Sequence, residues 1–209
     1  MRCFLFIILA LVSVSCSNNI EVDTLQEGAR GVEDSQKVKI THISGQVQFT
    51  DKYTPDAFMC IPAAYTDLDG KIEGEYRIKG KTFGTQSLKE RVSLHPTKGL
   101  IISREWMSGN GFQQHVLVKN GKVRHFRDKR RFRRRALCSD DSSPGSLLII
   151  ESTRKMTLNE FATEVAKHSN NAVNLDMGRW GYGWIGDKTH SPWAVFFKNW
   201  QTNWIITKS

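Results

Sequence analysis

Hydrophobic and polar positions along this chain fall mostly into short alternating runs. "VKITHISGQVQFT", residues 38–50, alternates on either side of a Ser-Gly pair and predicts two strands. "KGLIISREW" and "QHVLVKNGKVRHF" are rich in β-formers, and the second carries Asn120-Gly121 between two apolar runs, a strong short hairpin signal. "RRALCSDDSSPGSLLIIES" reads as strand, polar turn and strand, while "PWAVFFKN" and "NWIITKS" add two strands near the C-terminus.

A different period appears once with force. In "TLNEFATEVAKHS", Thr157 and Glu160 form a capping-box pair, and Leu158, Phe161, Ala162 and Val165 recur at helical spacing. The helix should end at Asn170-Asn171, with "AVNLD" following as a strand. "TQSLKERVS" predicts a second, short helix. Strands with a late helix and no βαβ rhythm predict an α+β fold: one domain, a mixed and mostly antiparallel sheet, one prominent helix and one or more short ones.

The ends change the picture of where this domain works. Residues 1–16, "MRCFLFIILALVSVSC", place Arg2 before an apolar run too short to span a bilayer, then small residues, then Cys16. That layout predicts a secretory signal, and a cysteine after "SVS" resembles a lipobox whose Cys16 is lipidated. An ordinary cleaved signal with an incidental cysteine is the alternative. Residues 17–36 are polar and acidic, the composition of a flexible tether. Residues 37–209 then form the folded domain. The expected setting is the bacterial cell envelope, periplasmic or surface-exposed, held to the membrane through the lipid. In such a compartment Cys60 and Cys138 are either a disulfide or two buried thiols in apolar strands.

Charge is concentrated rather than spread. Residues 122–135, "KVRHFRDKRRFRRR", hold nine Lys or Arg and one acid, Asp128, and so account for almost all of the chain's formal net charge of +9. Such a run suits phosphate, as anionic lipid head groups or phosphorylated polysaccharide, or else is a solvated basic extension of the hairpin. Nucleic acid is not expected as a partner of an exported protein.

Candidate chemistry is sparse. "GYGWIG" satisfies G-x-G-x-x-G, but "DKTHSPW" follows where a dinucleotide site needs a helix. No G-x-S-x-G and no paired histidine or cysteine spacing is present, so the sequence offers no metal site and leaves any cofactor open. Asp67 and Asp69 lie in a turn, where Asx chemistry at Asp69-Gly70 is the simpler account. Asp176 ends a strand beside a Gly-rich loop, a position suited to catalysis or ligand binding.

Four segments, in order, resemble the phosphodiester glycosidase family. "PAAYTDLDGKIEG" stands where the family has an Asn-Gly-Gly-Phe-Phe type motif, and "HVLVKNGKV" where it has a Val-x-x-Gly-x-Val hairpin. "RRALC" is similar to its Arg-Thr-Ala-Ile-Gly, and "MTLNEFATEVAKHSNNAVNLDMG" to its helix and strand ending in Asn-Leu-Asp-Gly-Gly-Gly-Ser. The resemblance spans roughly residues 38–209 and implies an exported hydrolase of sugar phosphodiesters or phosphorylated glycan. Two departures stand out. Pro62 replaces the early Asn, and Met177 and Arg179 occupy positions that are small in the family.

On that resemblance Asp176 is the principal acid, and Asp67 would be the second carboxylate, since glycosidic cleavage commonly uses two. Arg134, at the position of the family arginine, would hold phosphate. Tyr65 and Asn174 would position substrate, and Trp180, with Tyr182 and Trp184, would stack on a sugar ring or else pack the sheet end. In an extended strand Arg133 and Arg135 face away from Arg134. The departures leave a second reading, a non-catalytic glycan or envelope-binding module of the same fold. A third is a structural protein using its basic run on lipid head groups.

Overall fold

The computed structural model describes residues 37–43, 45–67, 69–177, 183–186 and 203–207. The signal, the tether, Cys16, Trp180 and the predicted strand "PWAVFFKN" lie outside these residues.

Most of the predicted strands form, and they build three sheets. The largest runs β1 (Val38–Ile43), β12 (Leu147–Ser152), β11 (Arg135–Ser139), β13 (Ala172–Leu175), β9 (Val116–Lys119) and β10 (Lys122–Val123). The second has four strands, in the order β14 (Trp184–Ile185), β3 (Met59–Pro62), β15 (Trp204–Thr207) and β2 (Val47–Thr50). The third has five: β5 (Lys81–Phe83), β4 (Tyr76–Ile78), β8 (Gly111–Phe112), β6 (Arg91–His95) and β7 (Gly99–Ser103). The strand pairings among the described residues are antiparallel. At Asn120-Gly121 both residues take positive φ, 50° and 73°, which gives the primed turn that joins β9 to β10.

Helix α1 (Leu158–Val165) forms as its sequence predicts. Thr157 accepts from the Glu160 amide, Glu160 returns a bond to the Thr157 amide at 2.8 Å, and Leu158, Phe161, Ala162 and Val165 are buried. It is the one α-helix among the described residues, and this corrects the α+β expectation: the domain is β-rich, three antiparallel sheets with a single eight-residue helix. The reason is visible at "TQSLKERVS". Residues 85–90 lie outside any helix or strand, and Arg91 begins β6. The buried Gln113 side chain accepts from the Ser87 amide at 3.1 Å and donates to the Leu88 carbonyl at 2.6 Å, occupying backbone groups a helix would need.

Period-two alternation sorts the core into layers. Leu147, Ile149, Leu137, Val173 and Leu175 turn toward the other two sheets and share a core with Phe49, Met59, Ile61, Phe112 and Ile205. Their neighbours Leu148, Ile150, Ala136, Cys138 and Ala172 turn the other way, onto Leu158, Phe161, Ala162 and Val165 of α1. Each large side chain fully buried there contributes about 1.5–3 kcal/mol. A third cluster, Ala57, Cys60, Trp184, Trp204 and Ile206, covers the far side of the four-stranded sheet. Cys60 and Cys138 therefore sit in different clusters as buried thiols outside any disulfide, and burial pushes the Cys138 thiol far above its ordinary pKa. No helix among the described residues is long and apolar enough to cross a membrane.

Candidate functional site

The side of the six-stranded sheet that carries α1 also carries a cavity. Asn174 lies two residues after Ala172, and Arg134 two before Ala136, so both point to the helix face. The cavity, about 460 Å³, opens between the ends of β11 and β13, the start of α1 and the segment 126–134. Tyr65, Arg134, Asn174 and Asp176 all line it, and Met177 forms part of its wall. Four residues proposed from the sequence are thus brought together.

The segment 126–134 is the centre of the basic run, and it reaches the cavity because the helix holds it. Asn159 accepts from the Phe126 amide at 2.8 Å and donates to its carbonyl at 2.7 Å. Phe132 and Met156 exchange backbone bonds of 3.1 and 2.8 Å, and Arg131 pairs with Glu160 at 2.9 Å. The guanidinium carbons of Arg130 and Arg134 stand 5.9 and 5.1 Å from the centroid of the Phe132 ring.

Arg134 is buried, its Nε donating to the Met156 carbonyl at 3.2 Å and Nη2 to the Arg130 carbonyl at 3.0 Å. Burial pulls its pKa down from the usual value, against the neighbouring Tyr65 and Asp128. It remains a cation at any physiological pH. Arg133 also lines the cavity, whereas Arg135 faces away and pairs with Glu151 at 2.7 Å. Burial pushes the Glu151 pKa up, but Arg135 beside it wins and holds it below the usual range.

Tyr65 sits at the meeting point of these groups. Asn174 Nδ2 donates to its Oη at 2.8 Å and to the Leu175 carbonyl at 3.0 Å. The Arg134 charge acts on the same phenol. With Asn174 donating to the oxygen, the phenolic proton is left to point at another acceptor. Burial raises the Tyr65 pKa, and Asp176 adds to that, outweighing the opposing Arg134 charge; the phenol stays protonated. Asn174 Oδ1 is buried with no hydrogen-bond partner among the described residues, an acceptor a ligand hydroxyl or amide would satisfy. The Asp176 amide bonds the Ala63 carbonyl at 2.8 Å, so the cavity lies at a seam between the six- and four-stranded sheets.

Asp67 is not part of this site. It is exposed, its Oδ1 accepting from the amides of Asp69 and Lys71 at 2.9 and 2.8 Å, which is turn chemistry. Trp184 is buried behind the four-stranded sheet, its Nε1 donating to the Ala57 carbonyl at 2.9 Å. Gly183, at φ 101°, lies so close to β3 that a Cβ would stand 2.8 Å from the Cys60 carbonyl. Close packing, rather than nucleotide binding, accounts for that glycine of "GYGWIG".

The cavity also holds groups that the sequence reading did not single out, His115 and Asp128. His115 stacks edge-on against Tyr65 and Phe126, and burial lowers its pKa, with the Arg134 charge adding to the effect. Asp128 is bound by Arg130 through Nε at 3.0 and 3.1 Å and Nη2 at 3.0 Å, and those bonds lower its pKa. As the single acid in a basic run, Asp128 was the readable signal. Among the described residues no group of three or more His, Cys, Asp or Glu could hold a metal ion.

No family model and no curated protein matches the chain. Among solved structures it is similar to one described as "Crystal structure of a hypothetical protein from Synechocystis", at 12% identity and a TM-score of 0.48. The match covers 81% of this chain and 58% of that one, so this chain spans less than two thirds of its length.

Proposed function

We propose that this chain is a phosphodiester-glycosidase-like hydrolase that acts on a sugar phosphodiester or phosphorylated glycan. The observation that supports it is the cavity in which a proton-bearing Tyr65, oriented by Asn174, stands with a buried arginine and the strand-end acid Asp176. Arg134 would neutralise the phosphate. Asp176 would take a proton from the water that attacks the anomeric carbon. The bond between that carbon and the phosphate oxygen breaks, and the leaving phosphate carries the electron pair. The Tyr65 hydroxyl would donate a hydrogen bond to that oxygen, and Asn174 Oδ1 would accept one from the sugar.

The test is hydrolysis of a panel of sugar-1-phosphodiesters by the full chain, with Asp176→Ala beside it and circular dichroism to verify its fold. Turnover lost in the folded variant supports the enzyme; no turnover by the native chain overturns it. A second reading, a glycan-phosphate receptor without chemistry, is favoured by the ion-paired state of Asp128 and the absence of Asp67 from the cavity lining. It predicts thermal protection by the same phosphodiesters without turnover.

A further inference from the structure

Charge at this cavity exceeds what one phosphodiester needs. Arg127, Arg130, Arg133 and Arg134 line it against Asp128 and Asp176, a formal surplus of two positive charges, while a diester carries one negative charge. Arg130 is committed to Asp128 and Arg134 to backbone carbonyls. Arg127 and Arg133 make no side-chain hydrogen bond or ion pair among the described residues, and both are exposed. Next to them in the chain Lys129 is equally exposed and unpaired among the described residues. Arg127 and Arg133 line the same cavity as Arg134, so their charges act together on a ligand bound there.

Resting on the function proposed above, we infer that the site takes a polymer with repeated phosphates: one in the cavity at Arg134, and the next along the exposed strip formed by Arg127, Lys129 and Arg133. A lipid surface fits less well. Among the described residues Phe132 is the exposed large apolar side chain of segment 126–134; Arg130 and Arg134 both stand over its ring, and a single ring so engaged is little to insert as a wedge. A flexible chain of anions can follow cations that lie at different depths, as the buried Arg134 and exposed Lys129 do.

The experiment measures binding of the full chain to orthophosphate, tripolyphosphate and long-chain polyphosphate across a salt series. Two phosphate subsites predict that tripolyphosphate binds at least tenfold tighter than orthophosphate, with a steeper salt dependence. Lys129→Gln, a surface change outside the cavity, should reduce the logarithmic salt slope for polyphosphate by about one and leave orthophosphate affinity unchanged. Equal affinity for the three probes, or a slope indifferent to Lys129→Gln, would overturn the inference. Tighter binding to phosphatidylglycerol vesicles than to polyphosphate would assign the strip to a lipid surface. A single-stranded DNA oligomer of matched phosphate number that binds as tightly would assign it to nucleic acid. Either result overturns the polymeric glycan. A monomeric sugar phosphodiester, hydrolysed or protective in parallel, keeps the cavity's own reading separate: it can hold while the strip fails.

Discussion

Tyr65→Phe removes the oxygen to which Asn174 Nδ2 donates and on which the Arg134 charge acts. The buried amide then keeps the Leu175 carbonyl as its remaining partner, and the folded state should lose about 1–2 kcal/mol in a denaturant titration. Ligand protection should fall much more, because the substituted ring fills the space and offers no proton. His115 gives a second prediction, in pH. Its folded pKa lies below the ordinary 6.5, so between the two values the unfolded chain binds the extra proton. Stability is full above about 6.5 and declines as the pH falls toward the folded value. His115→Phe should flatten that limb of a melting curve series; an unchanged slope would mean that the imidazole is not buried. Tyr65 has the opposite sense at the other end: its raised pKa keeps stability intact below 10 and loses it as the pH climbs further.

At the scale of elements, α1 is both a packing unit and the post to which the basic segment is tied. Thr157→Ala should cost about 1 kcal/mol through the lost cap. Asn159→Ala removes both bonds to Phe126 and leaves the buried face of α1 unchanged, so a small stability change should accompany a clear loss of phosphodiester affinity. Equal affinity in that variant would show that the segment holds its place without the helix. The helix was legible because capping and its 3.6-residue period are local, and the β9–β10 hairpin because Asn-Gly tolerates positive φ. The second helix does not form for a reason 25 residues away: Leu88 and Val92 have helical spacing, but Gln113 takes the Ser87 amide and the Leu88 carbonyl. The alternation that put Asn174 and Asp176 on one side was also readable. That Asp67 serves its own turn is local Asx chemistry and was within reach of the sequence; that Asp128 and His115 enter the cavity depends on how segment 126–134 folds over α1, which no local pattern encodes.

For the whole molecule, the layers explain why the cysteines stay apart. Cys60 lies behind the four-stranded sheet and Cys138 beneath α1, so neither should react with a thiol reagent in the folded protein, and both should in denaturant. Mass spectrometry of the labelled peptides checks this site by site. The α+β expectation gives way to a β-rich molecule because one eight-residue helix stands against three sheets, and the division of the strands among those sheets around a shared core is set by long-range pairing.

The seam at Asp176 and Ala63 has a consequence for how the molecule breathes. Tyr65 follows a strand of one sheet and Asn174 belongs to another, so an occupant touching both would act as a rivet across the joint. Opening either sheet alone would then require releasing the occupant, and amide hydrogen exchange in β3 and β13 should slow by the same factor when the cavity fills. Two fluctuations that are separate in the empty protein would become one event.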